Sequence, residues 1–422
     1  MTLLLEAGAD TKAKNEVRDE RRGGVRVIRC VCMSMWYPLT CVKSVGSSMR
    51  WSMRWKPCTD RLALALLFAN AGAALLQPQR VAVVTGASRG IGKGIAVELG
   101  REGYAVVCVG RSSRTDAGPT TERPTAEADL TVEATAEAVT AAGGRGRALP
   151  CDLGQDGAVD AIMDEVAQSE GRLDVLVSSA YTTPPGRLRG PFWEQPMAMW
   201  DSCNGVGLRG AYATCRAAAP HMIRTAAEAG EAPLICLVSS FGGKAYTFNV
   251  AYGVGKAAVD RLASDMAFQL KPHGVASISL YPGVVKTEGN LEMERRGEWA
   301  EASGGLDLEA GESPAFSGRA VAALARLDSE AMLARSGRVE VVAELARELG
   351  FSDIDGSRPP SIRSLAYLCP NFVFPSIEAG GGTVPRWVRD NVPDINLPWS
   401  IFASPPPERD ASPRSEGARS VI

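Results

Sequence analysis

Histidine is the scarcest acid–base residue of this chain: only His221 and His273 occur among its 422 residues. Proton transfer near neutral pH must therefore draw on other groups. Charge of one sign is lacking too. Charged residues make up 22% of the chain but leave a net charge of −2, so there is no basic field to hold nucleic acid. The apolar stretch 62–76, behind Lys56 and Arg61, falls short of the roughly 20 residues a membrane-spanning helix needs. Cys30-x-Cys32 has no second cysteine pair and no nearby histidine, which argues against a zinc site, and no other metal site is expected. Nothing in the placement of the ten cysteines requires disulfides, which fits a reducing compartment. Cys108, Cys151 and Cys236 fall in or beside predicted strands, where cysteine serves as a small apolar filler.

What is present begins with Ala251-Tyr-Gly-Val-Gly-Lys256. On a helix this spacing puts a phenol and an ammonium one turn apart on the same face. A free tyrosine titrates near 10 and is a poor proton shuttle at neutrality. A cation held about 4 Å away at an effective dielectric near 20 contributes about 4 kcal/mol, or roughly three pKa units. Tyr252 is thus expected to be drawn toward neutrality by Lys256, giving acid–base chemistry without histidine. Taken alone, the pair also fits an exposed helix that happens to carry both residues.

Upstream, the short apolar run Arg80-Val-Ala-Val-Val-Thr85 leads into Gly86-Ala-Ser-Arg-Gly90-Ile-Gly92 and then a helical pattern. Glycines at a strand-to-helix turn let the backbone approach a pyrophosphate, and the helix N-terminus then faces that anion. Gly86, Ser88, Arg89, Gly90 and Gly92 are the candidate cradle, in the spacing Gly-x-x-x-Gly-x-Gly rather than the commoner Gly-x-Gly-x-x-Gly. Strand patterns at 81–84, 105–109, 147–151, 173–178, 234–239, 276–280 and 338–342 alternate with helical ones. That order predicts a parallel sheet covered on both faces, an α/β doubly wound fold of the Rossmann type with three αβα layers. The stretch 112–129 reads as a long surface loop, followed by a helix from 131 to 142 that Gly143-Gly144 stops.

With these motifs in one chain, the sequence resembles the short-chain dehydrogenase/reductase family from about residue 80 to residue 350. Phe192-Trp-Glu-Gln-Pro-Met-Ala-Met-Trp-Asp201, Gly205-Val-Gly-Leu-Arg-Gly210 and Tyr252-Gly-Val-Gly-Lys-Ala-Ala258 look like its dehydrogenase/reductase member 1 branch. The resemblance implies an oxidoreductase that interconverts a carbonyl (ketone, aldehyde or quinone) and an alcohol by hydride transfer with a nicotinamide cofactor. It makes Ser240, Tyr252 and Lys256 the catalytic set: Ser240 orients the substrate oxygen, Tyr252 exchanges its proton, and Lys256 lowers the phenol's pKa and holds the nicotinamide ribose. It also implies that Asp152 accepts from the adenine amino group and that Ile91 lines the pyrophosphate turn. By the same resemblance Ser178, at the end of the fourth strand, Tyr252 and Lys256 contact the cofactor, and Pro282, Gly283, Val285 and Thr287 hold its nicotinamide end. Residues 288–316 become a substrate lid, and the helices at 210–229 and 252–270 pair in a homodimer or homotetramer. Two departures stand out. The family's Asn-Asn-Ala-Gly reads Ser178-Ser-Ala-Tyr181, and the asparagine that relays protons behind the lysine aligns with Gly207, with Asn204 three residues away. A cofactor-binding protein without turnover is the alternative reading.

Cofactor choice is legible at the end of the second strand. An NAD site places a carboxylate there for the ribose 2′-OH, whereas this chain reads Val109-Gly-Arg111-Ser-Ser-Arg114. Arg111, with Arg89 approaching from the glycine turn, would bind a 2′-phosphate, so NADP(H) is expected over NAD(H).

The ends differ from the middle. Residues 1–78 form an extension whose start, Leu3-Leu-Leu-Glu-Ala-Gly-Ala-Asp-Thr11, is similar to the closing half of an ankyrin repeat, too little to stack. A disordered, targeting or misjoined segment is expected there. Stretch 62–76 reads as a targeting or membrane-associating segment or as a helix on the sheet edge, so an endoplasmic reticulum address stands beside the expected cytoplasmic one. Catalysis is assigned to 79–350, packing on the core to 351–403, and disorder to the polar, proline-rich 404–422.

Overall fold

Val81-Ala-Val-Val-Thr85 has no polar face, and its residues are buried on both sides. Ala82 and Val84 point into one apolar layer and Val81 and Val83 into the other, the two-residue alternation of a strand covered by helices above and below. The computed structural model describes residues 16–22, 25–31, 38–43, 79–114, 129–182 and 189–402, and separates two units, Met1–Pro78 and Gln79–Ile422.

In the first unit, β1 (Glu16–Arg22), β2 (Val25–Val31) and β3 (Pro38–Lys43) form an antiparallel sheet in the order β1-β2-β3. The sequence reading had no strand here, because basic residues at 18, 21, 22, 26 and 29 break any apolar alternation. The ankyrin-like start, stretch 62–76, most of the expected loop 112–129 and the tail 404–422 lie outside the described residues.

In the second unit, β4 (Val81–Thr85), β5 (Ala105–Gly110), β6 (Arg145–Pro150), β7 (Val175–Ser178), β8 (Leu234–Val238), β9 (Ala276–Tyr281) and β10 (Val339–Val341) form a parallel sheet. Its order is β10-β9-β8-β7-β4-β5-β6. Each expected strand is found, with ends shifted by a residue or two. On one face lie α1 (Gly90–Arg101), α2 (Val132–Ala141) and the helix Pro314–Leu324, whose Ile95, Leu99, Val139, Phe316 and Leu324 fill the first layer. On the other lie α3 (Asp156–Glu170), the helix Ala211–Ala229 and the helix Val250–Leu270, with Met163, Met222 and Val259 in the second. Thr131 caps α2 by accepting from Ala134 N–H, and the helix ends before Gly143 at φ +110°.

The chain winds outward from β4 through β5 to β6, then crosses back to place β7 on the other side of β4. That reversal opens a crevice beyond the carboxyl ends of β4 and β7, where ligands bind in doubly wound sheets. The C-terminal segment returns to this end. Arg363 reaches the Glu344 carboxylate at 2.7 Å and the Leu397 carbonyl at 2.8 Å. Trp399 stacks edge-on against Tyr281, 5.9 Å between centroids, and lies 6.4 Å from Phe241. Phe372, Val373, Ile377 and Trp387 of the same segment stay exposed. Among the described residues no helix is long and apolar enough to cross a membrane.

Candidate active site

The glycine turn lies at the crevice. Gly86 has φ +69°, and a Cβ there would stand 2.6 Å from Ala180 Cα, across the β4–β7 junction. A Cβ on Gly92 would stand 2.3 Å from the Gly86 carbonyl oxygen. Both positions therefore demand glycine, and the turn brings the N-terminus of α1 to the crevice. Gly90 N–H already donates to an anionic oxygen, Glu288 Oε2, at 2.7 Å. A carboxylate seated on this amide is what a phosphate-binding turn is built to accept, so the cradle fits the pyrophosphate of a dinucleotide. Ser88 is buried in the turn, and Ile91 packs on the core beneath it.

The remaining cofactor candidates line the same edge. Arg89 donates to Ser112 Oγ at 2.8 Å, bringing its guanidinium to the end of β5. Exposed Arg111 donates to Thr182 Oγ1 at 3.1 Å. Arg114 is committed elsewhere, to Asp129 and Glu137. Ser178 is buried at the end of β7. Asp152 lies past β6, where its Oδ1 accepts from Gly154 N–H at 3.0 Å, a turn-closing bond that occupies one oxygen. Pro282 and Gly283 follow β9. Val285 and Lys286 are strapped to the chain at Glu312, which carries Gly283 N–H on its carboxyl. Burial pushes that carboxyl up to about 8. Thr287 caps the helix Glu288–Arg295, accepting from Asn290 N–H, with its methyl beside Gly90.

Ser240, Tyr252 and Lys256 converge beyond β8. Ser239 and Ser240 part ways: Ser239 donates to the Lys256 carbonyl at 3.2 Å, whereas Ser240 Oγ accepts from Gly242 N–H at 3.0 Å and hydrogen-bonds Tyr252. The buried cap Asn249 accepts from Tyr252 N–H at 2.9 Å and so fixes where the helix begins. Phe248 before it adopts φ +59°, rare for a bulky side chain, and meets the Tyr252 ring edge-on at 5.1 Å. Lys256 Nζ donates to the Val238 carbonyl at 3.1 Å and lies 5.0 Å from the centroid of Tyr181 and 5.8 Å from that of Tyr252.

The electrostatics run opposite to the expectation for Tyr252. Burial pushes the phenol up to about 12, with the Ser240 hydrogen bond pulling it back. Lys256 exerts no dominant pull because its ammonium is aimed at Val238 and Tyr181. Its own pKa is drawn down by burial to about 8 against the upward pull of Asp260. Asp260 was not anticipated. It is buried one turn beyond Lys256 and accepts from Ser279 Oγ at 2.6 Å and from the Tyr281 hydroxyl. The Lys-x-x-x-Asp spacing was the signal for it. Gly242 was likewise missed: a Cβ there would lie 2.5 Å from Tyr252 Cε1.

Comparison with known proteins gives matching results. The short chain dehydrogenase family profile matches residues 80–297. Dehydrogenase/reductase SDR family member 1 of Mus musculus is 39% identical over 73% of this chain and 95% of its own length. The Homo sapiens protein of the same name is 38% identical over 66% of this chain and 84% of its own. Among solved structures, a short chain dehydrogenase from Mycobacterium paratuberculosis bound to NAD superposes with a TM-score of 0.51 at 25% identity, covering 62% of this chain and 95% of that one.

Proposed function

The chain belongs to the short-chain dehydrogenase/reductase family, in the branch of family member 1, and is an NAD(P)-dependent oxidoreductase of small molecules; within that class we propose that it interconverts a carbonyl and an alcohol through Ser240, Tyr252 and Lys256, with NADP(H) preferred. The observation that carries the reading is the meeting of these three side chains past the carboxyl end of β8, alongside the anion-holding turn at Gly90.

The glycine turn, Thr287 and the 282–285 loop would hold the cofactor, which when bound supplies or accepts the hydride. Ser240 spends an acceptor position on Gly242 N–H, and its own proton, which the Tyr252 oxygen engages here, is the one that would turn to the substrate oxygen. With its pKa above neutrality, Tyr252 stands protonated at pH 7 and can donate that proton to a developing alkoxide. The charged form of Lys256 then offsets the phenolate. Alcohol oxidation uses the same groups in reverse. Preference for the 2′-phosphate rests on Arg111 and Arg89, which reach Thr182 and Ser112 at the end of β5. The similar mycobacterial structure is bound to NAD, and the preference proposed here lies in this chain's own arginines.

Tyr252→Phe removes only the hydroxyl. It should keep cofactor affinity and lose most turnover on ketones and quinones, by about a hundredfold or more. Turnover retained in that variant refutes the assignment. The helices Ala211–Ala229 and Val250–Leu270 present exposed Tyr212, Val254 and Phe268, and we assign them to a homodimer interface. A monomer in sedimentation at micromolar concentration would remove it.

A further inference from the structure

The two departures from the family pattern, Tyr181 and Gly207, touch. A Cβ on Gly207 would lie 2.9 Å from Tyr181 Cδ2 and 3.3 Å from Cε2, so the ring occupies space that any side chain at 207 would claim. Gly207 sits in a π-helical turn, Gly205–Gly210, a widened turn of the kind that recurs at functional sites. The Tyr181 hydroxyl donates to Cys203 Sγ at 2.9 Å, which orients the ring. Lys256 Nζ lies over the ring, 5.0 Å from the centroid, and the Tyr252 ring packs perpendicular to it at 5.8 Å. The space among Tyr181, Cys203, Asn204, Gly207, Tyr252 and Lys256 is too tight for a water molecule. Asn204 does not take over as a relay. Its amide donates to the Trp200 and Ala251 carbonyls, and its oxygen faces Gly255.

We propose that Tyr181 is a positioning residue for Lys256: its ring, admitted by Gly207, holds the ammonium over its face and on the Val238 carbonyl, beside Tyr252, and favours its charged form. A ring face carries negative potential and attracts an ammonium most strongly where water is excluded. It asks for no proton in return, so it can replace a hydrogen-bonding asparagine and water without leaving a buried donor stranded. The groups facing Lys256 are Tyr252 and Asp260 on its own helix, Cys203 on the helix Met197–Asn204, Tyr181 after β7, and the Val238 carbonyl of β8. Of these, Asp260 and Cys203 pull its pKa up, and the Tyr181 ring face adds its own attraction. Burial opposes the cation.

The proposal rests on the Ser240–Tyr252–Lys256 reading, and its test separates the two. The titration of Lys256 is followed in the protein without added cofactor by NMR of carbon-labelled lysine, with the resonance assigned through Lys256→Met. Tyr181→Leu is expected to lower the midpoint by about one pH unit. The alkaline limb of the turnover profile should move with it, a loss of roughly fivefold at pH 8. Tyr181→Phe, which keeps the ring, should retain the midpoint. Gly207→Ala should lower the midpoint when Tyr181 is present and have no further effect in the Tyr181→Leu background, because both act through one ring. An unchanged midpoint in folded Tyr181→Leu, or additive effects of the two substitutions, overturns the proposal. Should Lys256→Met keep full turnover while the midpoint still follows Tyr181, the catalytic reading falls and the positioning contact stands.

Discussion

Glu288 gives the sharpest quantitative expectation. Its carboxylate accepts from Gly90 N–H at 2.7 Å, at the N-terminus of α1, where the cradle would take the cofactor's pyrophosphate. Cofactor and carboxylate therefore compete for one amide. A hydrogen bond to a charged group contributes roughly 1.5–3 kcal/mol, and the helix terminus adds a few tenths. Glu288 is only partly buried, so water returns part of this when the side chain leaves. A net cost of about 1.4 kcal/mol remains, or tenfold in affinity. Glu288→Ala should thus bind NADPH and NADH about tenfold more tightly by calorimetry. Both cofactors should gain alike, because the contested amide faces the part they share. An unchanged or weaker Kd would refute the reasoning, and so would a gain confined to one cofactor.

Arg111→Asp should reverse cofactor choice. Two charge-assisted contacts of roughly 1.5–3 kcal/mol each imply a preference on the order of a hundredfold, and equal kcat/KM for NADPH and NADH in the parent protein would defeat it. The depressed pKa of Lys256 makes a prediction for stability. Its folded value, about 8, lies below the unfolded value, so between those two pH values the unfolded chain binds more protons and stability rises with pH. Above pH 10 the raised pKa of Tyr252 acts in the opposite sense, since the unfolded phenol loses its proton first. Thermal melts of the cofactor-free protein should climb between pH 8 and pH 10, and Lys256→Met should flatten that rise; a slope that survives the substitution counts against a buried Lys256.

The sheet was legible because its central strands β4 and β5 are nearly pure valine and alanine runs, and the other strands recur between helical periods, as a sheet covered on both faces requires. Ser240, Tyr252 and Lys256 were legible because one turn of helix and one strand end separate them. What escaped was pairwise and distant. Tyr181 and Gly207 each read as a defect in the family pattern, and only their contact turns two losses into one arrangement. The sign of the Tyr252 shift was misread because spacing gives proximity to a cation but says nothing of the desolvation that outweighs it. Asp260 needed Tyr281 and Ser279, residues of a strand some twenty positions away, before its buried charge made sense. No local pattern announced that Trp399 would reach the site.

Trp399 gives the order of synthesis a meaning. It meets Phe241, the residue after Ser240, and Tyr281, the partner of Asp260. A ribosome delivers every strand of the sheet, the glycine turn and the helix bearing Tyr252 and Lys256 before this indole exists. A nascent or prematurely terminated chain can therefore assemble the nucleotide cradle while Phe241 and Tyr281 lack one wall. Cleavage just ahead of Trp399 would leave every strand of the sheet in place and strip this aromatic cover from Phe241 and Tyr281 alone.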